Sequence, residues 1–273
     1  MSKAPTLASL RKQIDGIDTK LHDLLMQRAL VVESVGELKK AQKLGAPFRL
    51  GREAEILRRL KARHQGQLPY PVIARLWREI IASFTQLEAA YAVAVCQTSS
   101  EAPVRDLARD HYGGGVALLP YAQPGPALVA LSEGKAVQAV LSMPRPDDET
   151  PWWSMLMDGA QAPRIVARLP FAGTQGPGRE ALVAALFPPE PSGDDVTLLG
   201  IETNEPASRT GLKTELEKAG FAQPRLLAAG RYGAKSLALA EVDGFVEAQD
   251  ARLATLSMPR VLVLGAYARP ILE

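Results

Sequence analysis

The chain has 273 residues, 47% of them hydrophobic, long enough for two or more domains with cores of their own. A near balance of 32 basic and 30 acidic residues leaves a net charge of +2, which excludes a global attraction to nucleic acid or to a membrane surface. The single cysteine, Cys96, excludes an internal disulfide framework and offers no metal-ligand spacing. No stretch of about twenty apolar residues is present to span a bilayer, and residues 1–6 hold one lysine and no apolar run, so a cytoplasmic protein is expected. His22, His64 and His111 stand far apart. No Ser-His-Asp, P-loop or GxGxxG pattern accompanies them, and the run Gly113, Gly114, Gly115 lacks a phosphate-loop lysine and reads as a turn.

The first predicted element is a long helix from residue 7 to about 42. Leu7, Leu10, Ile14, Ile17, Leu21, Leu24, Val31, Val35 and Leu38 recur in steps of three and four, as a helix seam does. Arg28 stands where that seam calls for a hydrophobe, and Arg11 and Lys39 fall one position beyond seam residues. Any one such cation would snorkel to water. Together they suggest more: Arg28 and Lys39, eleven residues apart, lie about 20° apart in azimuth and roughly 16 Å along the axis, so that their long side chains could hold one small anion between them. Arg11 lies roughly 25 Å from Arg28 and could join only from a second copy. Two such helices packed antiparallel about a two-fold axis near Leu21 or His22 would form a symmetric dimer with two shared anionic pockets.

Gly45, Ala46 and Pro47 then break the pattern. A second helix is expected from about 52 to 63, charged, with Ile56, Leu57 and Leu60 apolar. Pro71 suits the first turn of a third, running to about 95 with Ile73, Trp77, Ile80, Ile81, Phe84, Leu87 and Tyr91 inward. Glu88 interrupts that stripe. Its carboxyl should be harder to ionise than usual unless a cation pairs with it, or else helix curvature carries it to the surface. Arg52 and Glu53 open the second helix, and on residue chemistry alone they are an exposed charged turn with Glu53 complementing the macrodipole.

The run Leu10-Arg11-Lys12-Gln13-Ile14-Asp15, then Gln27-Arg28, Val35-Gly36-Glu37-Leu38-Lys39, the Arg52-Glu53 pair and Leu76-Trp77-Arg78-Glu79-Ile80-Ile81 resembles the all-helical (AroQ-type) chorismate mutase domain. The resemblance implies that Arg28, Arg11 of the partner chain and Arg52 bind the substrate carboxylates, that Lys39 donates to the ether oxygen and that Glu53 holds the C4 hydroxyl. Two positions depart from the bacterial pattern. Phe84 replaces a common serine, which narrows the pocket, and Glu88 replaces a common glutamine, as in fungal members. Glu88 could donate a hydrogen bond only when protonated, so activity falling as pH rises is expected. The rearrangement of chorismate to prephenate needs no nucleophile, proton transfer, cofactor or metal. It needs a dianion held compact and negative charge stabilised on the breaking ether oxygen.

From 98 to about 194 the composition shifts to Pro, Gly and Ala, with short apolar runs at 116–119, 127–131, 137–141, 165–169 and 181–187 that read as strands of an α/β region. Trp152 and Trp153 read as packing anchors. A strand at 196–202, helix 208–219, strands 225–228 and 236–242, helix 248–256 and strand 260–264 give the order βαββαβ, a ferredoxin-like split unit. Glu241 to Glu247 followed by Val263-Leu264-Gly265-Ala266-Tyr267 resembles the ACT regulatory domain that ends prephenate dehydratases. The order mutase, dehydratase, ACT is that of the bifunctional P-protein, but the middle segment is about half the length of a two-lobed dehydratase, and Glu180-Ala181-Leu182 stands where Thr-Arg-Phe is expected. No dehydratase activity is therefore expected, and the effector motifs are eroded at Ala228-Ala229-Gly230-Arg231 and Thr210-Gly211-Leu212.

The expected architecture is a multi-domain α plus α/β chain: a three-helix, dimeric chorismate mutase domain at 1–95, a shortened dehydratase-like region at 96–194 and an ACT-like domain at 195–273. The expected substrate is chorismate and a possible effector is an aromatic amino acid. Alternatives on the same scaffold are an isochorismate-pyruvate lyase, an aminodeoxychorismate mutase, or a non-catalytic sensor or interaction subunit.

Overall fold

The computed structural model describes residues 5–42, 48–97, 103–145, 151–159, 161–173, 178–204, 208–232 and 234–272. The chain divides into two compact units, one of residues 1–47 with 84–90, the other of residues 48–83 with 91–273. In the first unit α1 (Leu7–Ala41) begins at a capping box. The Thr6 hydroxyl accepts from the Ser9 backbone N–H, and the Ser9 hydroxyl accepts from that of Thr6. Lys39 and Lys40 close the helix where its dipole favours cations. The seam residues Leu10, Ile14, Ile17, Leu21 and Leu24 are exposed in the single chain. The break expected at residues 45–47 lies outside the described residues.

The second unit holds α2 (Leu50–Arg63) and the part of α3 (Tyr70–Glu88) up to residue 83. It then builds β1 (Ala92–Cys96), α4 (Val104–Tyr112), β2 (Ala117–Tyr121), α5 (Pro124–Ser132) and β3 (Gln138–Ser142). Strands β4 (Arg164–Leu169), β5 (Ala172–Gly173), β6 (Ala181–Ala185) and β7 (Asp195–Thr203) precede α6 (Arg209–Lys218). Last come β8 (Arg225–Tyr232), β9 (Lys235–Asp243), β10 (Arg260–Ala268) and β11 (Ile271–Leu272). One nine-stranded sheet runs β2-β1-β3-β6-β4-β10-β7-β9-β8, and β5 pairs with β11 separately. Strands β2, β1 and β3 are parallel, connected through α4 and α5, and the stretch β10-β7-β9-β8 is antiparallel throughout, as the expected βαββαβ unit requires.

Three elements differ from the sequence reading. The third helix ends at Glu88 rather than near 95, and Ala92–Cys96 is a strand. Its run of small and β-branched apolar residues satisfies either period, and pairing with parallel strands on both sides decides it. The run 127–131 is the middle of α5, not a strand; Pro124 in its first turn sets the helical φ. The helix expected at 248–256 is a 3-10 turn, Ala251–Thr255, held at its start by the Asp250 side chain accepting from the Arg252 N–H.

Burial alternates along the sheet. Ala94, Cys96, Leu182, Ala184, Leu198 and Leu239 face one core together with Trp152 and Trp153, so both tryptophans are packing anchors as expected. On the other face Val93, Val95 and Val183 pack with Val104 and Ala108 of α4, while Leu199, Ile201, Ala238 and Ala240 pack with Leu212 and Leu216 of α6. The two halves of the sheet join where β10 meets β4 at a single parallel bridge, Gly265 with Ile165. Gly265 has φ +143°, and a Cβ there would lie 2.1 Å from the Ile165 carbonyl oxygen, so only glycine fits the junction.

Candidate functional site

In the first unit α1 and the end of α3 bring together four of the residues singled out in the sequence. Gly36 is buried against Glu88; a Cβ on it would lie 3.6 Å from the Glu88 Cα, in ordinary van der Waals contact. One turn further on, the Lys39 ammonium donates to Glu88 Oε2 at 2.6 Å, with side chains 23% and 14% exposed. Lys39 is thus the cation that the half-buried position of Glu88 calls for. Two turns before Gly36, the Arg28 guanidinium lies over the Phe84 ring, 4.2 Å from its centroid. Its Nη1 is buried with no hydrogen-bond partner. Burial lowers the Arg28 pKa, and the Glu88 charge works against that shift.

Phe84 therefore acts as a platform for Arg28 as well as a wall. The face carries two cations, one carboxylate and one buried N–H group without an acceptor, a set suited to an anion that takes hydrogen bonds from Arg28 and competes with Glu88 for Lys39. Arg11 is exposed on α1, seventeen residues before Arg28. Among the described residues no cluster of histidine, cysteine, aspartate and glutamate could hold a metal ion.

Arg52 and Glu53 belong to the second unit, at the start of α2. Arg52 is exposed. Glu53, read from residue chemistry alone as part of an exposed turn, is 9% exposed, and Arg78 Nη1 donates to its Oε2 at 2.6 Å. Burial raises the Glu53 pKa and the Arg78 charge pulls it back, the burial being the larger influence. The Arg78 guanidinium also lies 5.3 Å from the centre of the Phe171 ring. Sequence reasoning missed Arg78 as a buried partner, although its spacing of four from Ala74 and three from Ile81, both buried, marks it as lying on the inward stripe of α3.

Residues 10–89 match the family described as Chorismate mutase type II. The bifunctional chorismate mutase/prephenate dehydratase of Neisseria gonorrhoeae is 38% identical over 78 residues, 29% of this chain and 21% of that protein. Over the curated relatives matched, the chain spans between 21% and 34% of the relative's length. Among solved structures, the quorum quenching acylase GqqA covers 64% of this chain and 94% of its own, at 18% identity and a TM-score of 0.45. The prephenate dehydratase of Arthrobacter aurescens in complex with L-Phe covers 65% and 90%, at 13% identity and a TM-score of 0.46. No helix among the described residues is long and apolar enough to cross a membrane. By its sequence, then, the stretch 10–89 is similar to the chorismate mutase type II family.

Proposed function

We propose that this chain is a homodimeric chorismate mutase that converts chorismate to prephenate by a concerted [3,3] rearrangement. The observation that carries the reading is the face on which Lys39 meets Glu88 at 2.6 Å while the buried Arg28 Nη1 has no acceptor. A desolvated donor without a partner costs about 1–3 kcal/mol, and a ligand carboxylate at Arg28 would offset that cost. With the carboxylates held by Arg28 and the partner subunit's Arg11, the substrate is kept compact, which accounts for most of what a unimolecular rearrangement asks of a protein. As the ether bond breaks, negative charge grows on its oxygen, and the Lys39 ammonium stabilises it once drawn from Glu88.

The exposed apolar seam of α1 supports the dimer, because Leu10, Ile14, Ile17, Leu21 and Leu24 present one continuous stripe to solvent in the single chain. In our reading the chain acts within phenylalanine and tyrosine biosynthesis, and the functional modules are 1–95, 96–194 and 195–273. The α/β part is a non-catalytic regulatory or structural module, with no dehydratase activity and an aromatic amino acid as its candidate effector.

The test is conversion of chorismate to prephenate by the purified full chain, with Arg28→Ala and Arg11→Ala as variants. Each variant alone should lose at least a hundredfold in kcat/KM. If Arg11 is supplied across a two-fold interface, unfolding and refolding the two inactive variants together should restore about a quarter of wild-type activity, since half the dimers are mixed and each has one intact site. Absence of turnover in wild type would overturn the mutase, and absence of complementation would overturn the shared site.

A further inference from the structure

A cavity of about 320 Å³ opens in the second unit between α3, α4 and the segment that follows β4. Its wall carries Arg75, Arg78 and Arg179 with His111 and the Phe171 ring, and its one acidic lining residue is Asp110. Asp110 is exposed and stands 3.5 Å from Arg75, so one cation is balanced at the rim. Arg78, 8% exposed, donates through Nη1 to Glu53, but its Nε is buried with no partner. Arg179 is exposed and forms no ion pair among the described residues. Burial, reinforced by the Arg78 charge, holds the His111 pKa well below its usual value, so the ring offers one donor and one acceptor rather than a charge.

We propose that this cavity is a binding site for a small organic carboxylate with an apolar body. Arg179 takes the carboxylate, Arg78 Nε offers a second donor from the buried side, and the body packs on Phe171 and the aliphatic wall beside it. The volume lies at the lower end of the range for small-molecule sites, about 300–1,000 Å³, and the wall joins apolar residues to converging polar ones in similar measure. The cations on the wall outnumber its carboxylate three to one, which sets the sign of the ligand. This inference stands apart from the mutase reading, because it concerns binding in the second unit and asks nothing of Arg28 or Lys39.

The test is isothermal titration of the full chain with 3-phenylpropanoate, with its neutral counterpart 3-phenylpropan-1-ol and with sulfate. The expected result is saturable binding of 3-phenylpropanoate, at least tenfold weaker binding of the alcohol and of sulfate, at least tenfold loss in Arg179→Ala, and no change in Arg28→Ala. Arg179 is exposed, so this variant should keep the wild-type unfolding midpoint. No binding of the carboxylate, binding indifferent to Arg179→Ala, or an equally tight alcohol would overturn the proposal. Sulfate binding as tightly with the same dependence on Arg179 would show a simple inorganic anion site and overturn the organic ligand. Loss of binding in Arg28→Ala would move the ligand to the candidate mutase site and overturn it as well.

Discussion

Replacing Glu88 by glutamine separates the charge of this side chain from its shape. The Lys39 ammonium donates to the Glu88 carboxylate at 2.6 Å, so a substrate that needs Lys39, as proposed, has to displace a charge-assisted hydrogen bond. Such bonds contribute about 1.5–3 kcal/mol and are roughly twice as strong as neutral ones. The glutamine oxygen still accepts from Lys39, so the substitution removes about half of that value, on the order of 1 kcal/mol after allowing for partial solvent access. Converted at about 1.4 kcal/mol per decade, this predicts a rise of about fivefold in kcat/KM at neutral pH. The new amide N–H, a donor at every pH, adds to the gain. Continuous assay of chorismate consumption, with urea unfolding on the same preparations, measures both sides. An unchanged or lower kcat/KM in a Glu88→Gln protein that still folds would refute the idea that the pairing with Glu88 holds Lys39 back from its proposed role.

Other consequences concern the second unit. Arg78→Met should destabilise the protein by about 3–5 kcal/mol in urea unfolding, because it leaves the Glu53 carboxylate buried without its cation, and Glu53→Met in the same chain should recover most of the loss. In the single variant Glu53 is pushed further up, so stability should be regained as pH falls toward the ordinary carboxylate range and lost again as pH rises through the raised value. His111 is held well below its usual pKa when folded, so the unfolded chain binds the extra proton. Below about pH 6.5 wild type should lose up to about 1.4 kcal/mol of stability per pH unit relative to His111→Phe, and parallel pH profiles of the two would exclude that account. Gly265→Ala should lower the thermal midpoint sharply or prevent folding, since the backbone there costs an alanine about 1–3 kcal/mol before its Cβ meets the Ile165 backbone.

Local signals were the most legible. The bounds of α1 follow from Thr6 and the three-four spacing, and the 3.6-residue period alone puts Arg28, Gly36 and Lys39 on one side of that helix. The four strands and first helix of the unit at 195–268 were readable because they are runs of apolar residues separated by glycine and proline, while its second helix is a 3-10 turn. What the residues could not show depends on neighbours distant along the chain. Ala92–Cys96 is a strand because β2 and β3 pair with it. Glu53 is buried through Arg78, and the cavity beside Arg78 needs α4, the segment after β4 and Arg179 to come together. Apart from the inward spacing of Arg78 on α3, none of these meetings leaves a periodic trace in the sequence.

The place of β10 in the sheet has a consequence in time. This strand, between β4 on one side and β7 on the other, is synthesised after every other long strand of the second unit. Until residue 268 has left the ribosome, β4 and β7 each present an unpaired edge, and those edges can template pairing with other chains. Completion of the sheet thus waits for the synthesis of β10. Ribosome stalling or premature termination between 243 and 260 leaves two half-sheets with open edges, so rapid closure by β10 guards against pairing with other chains.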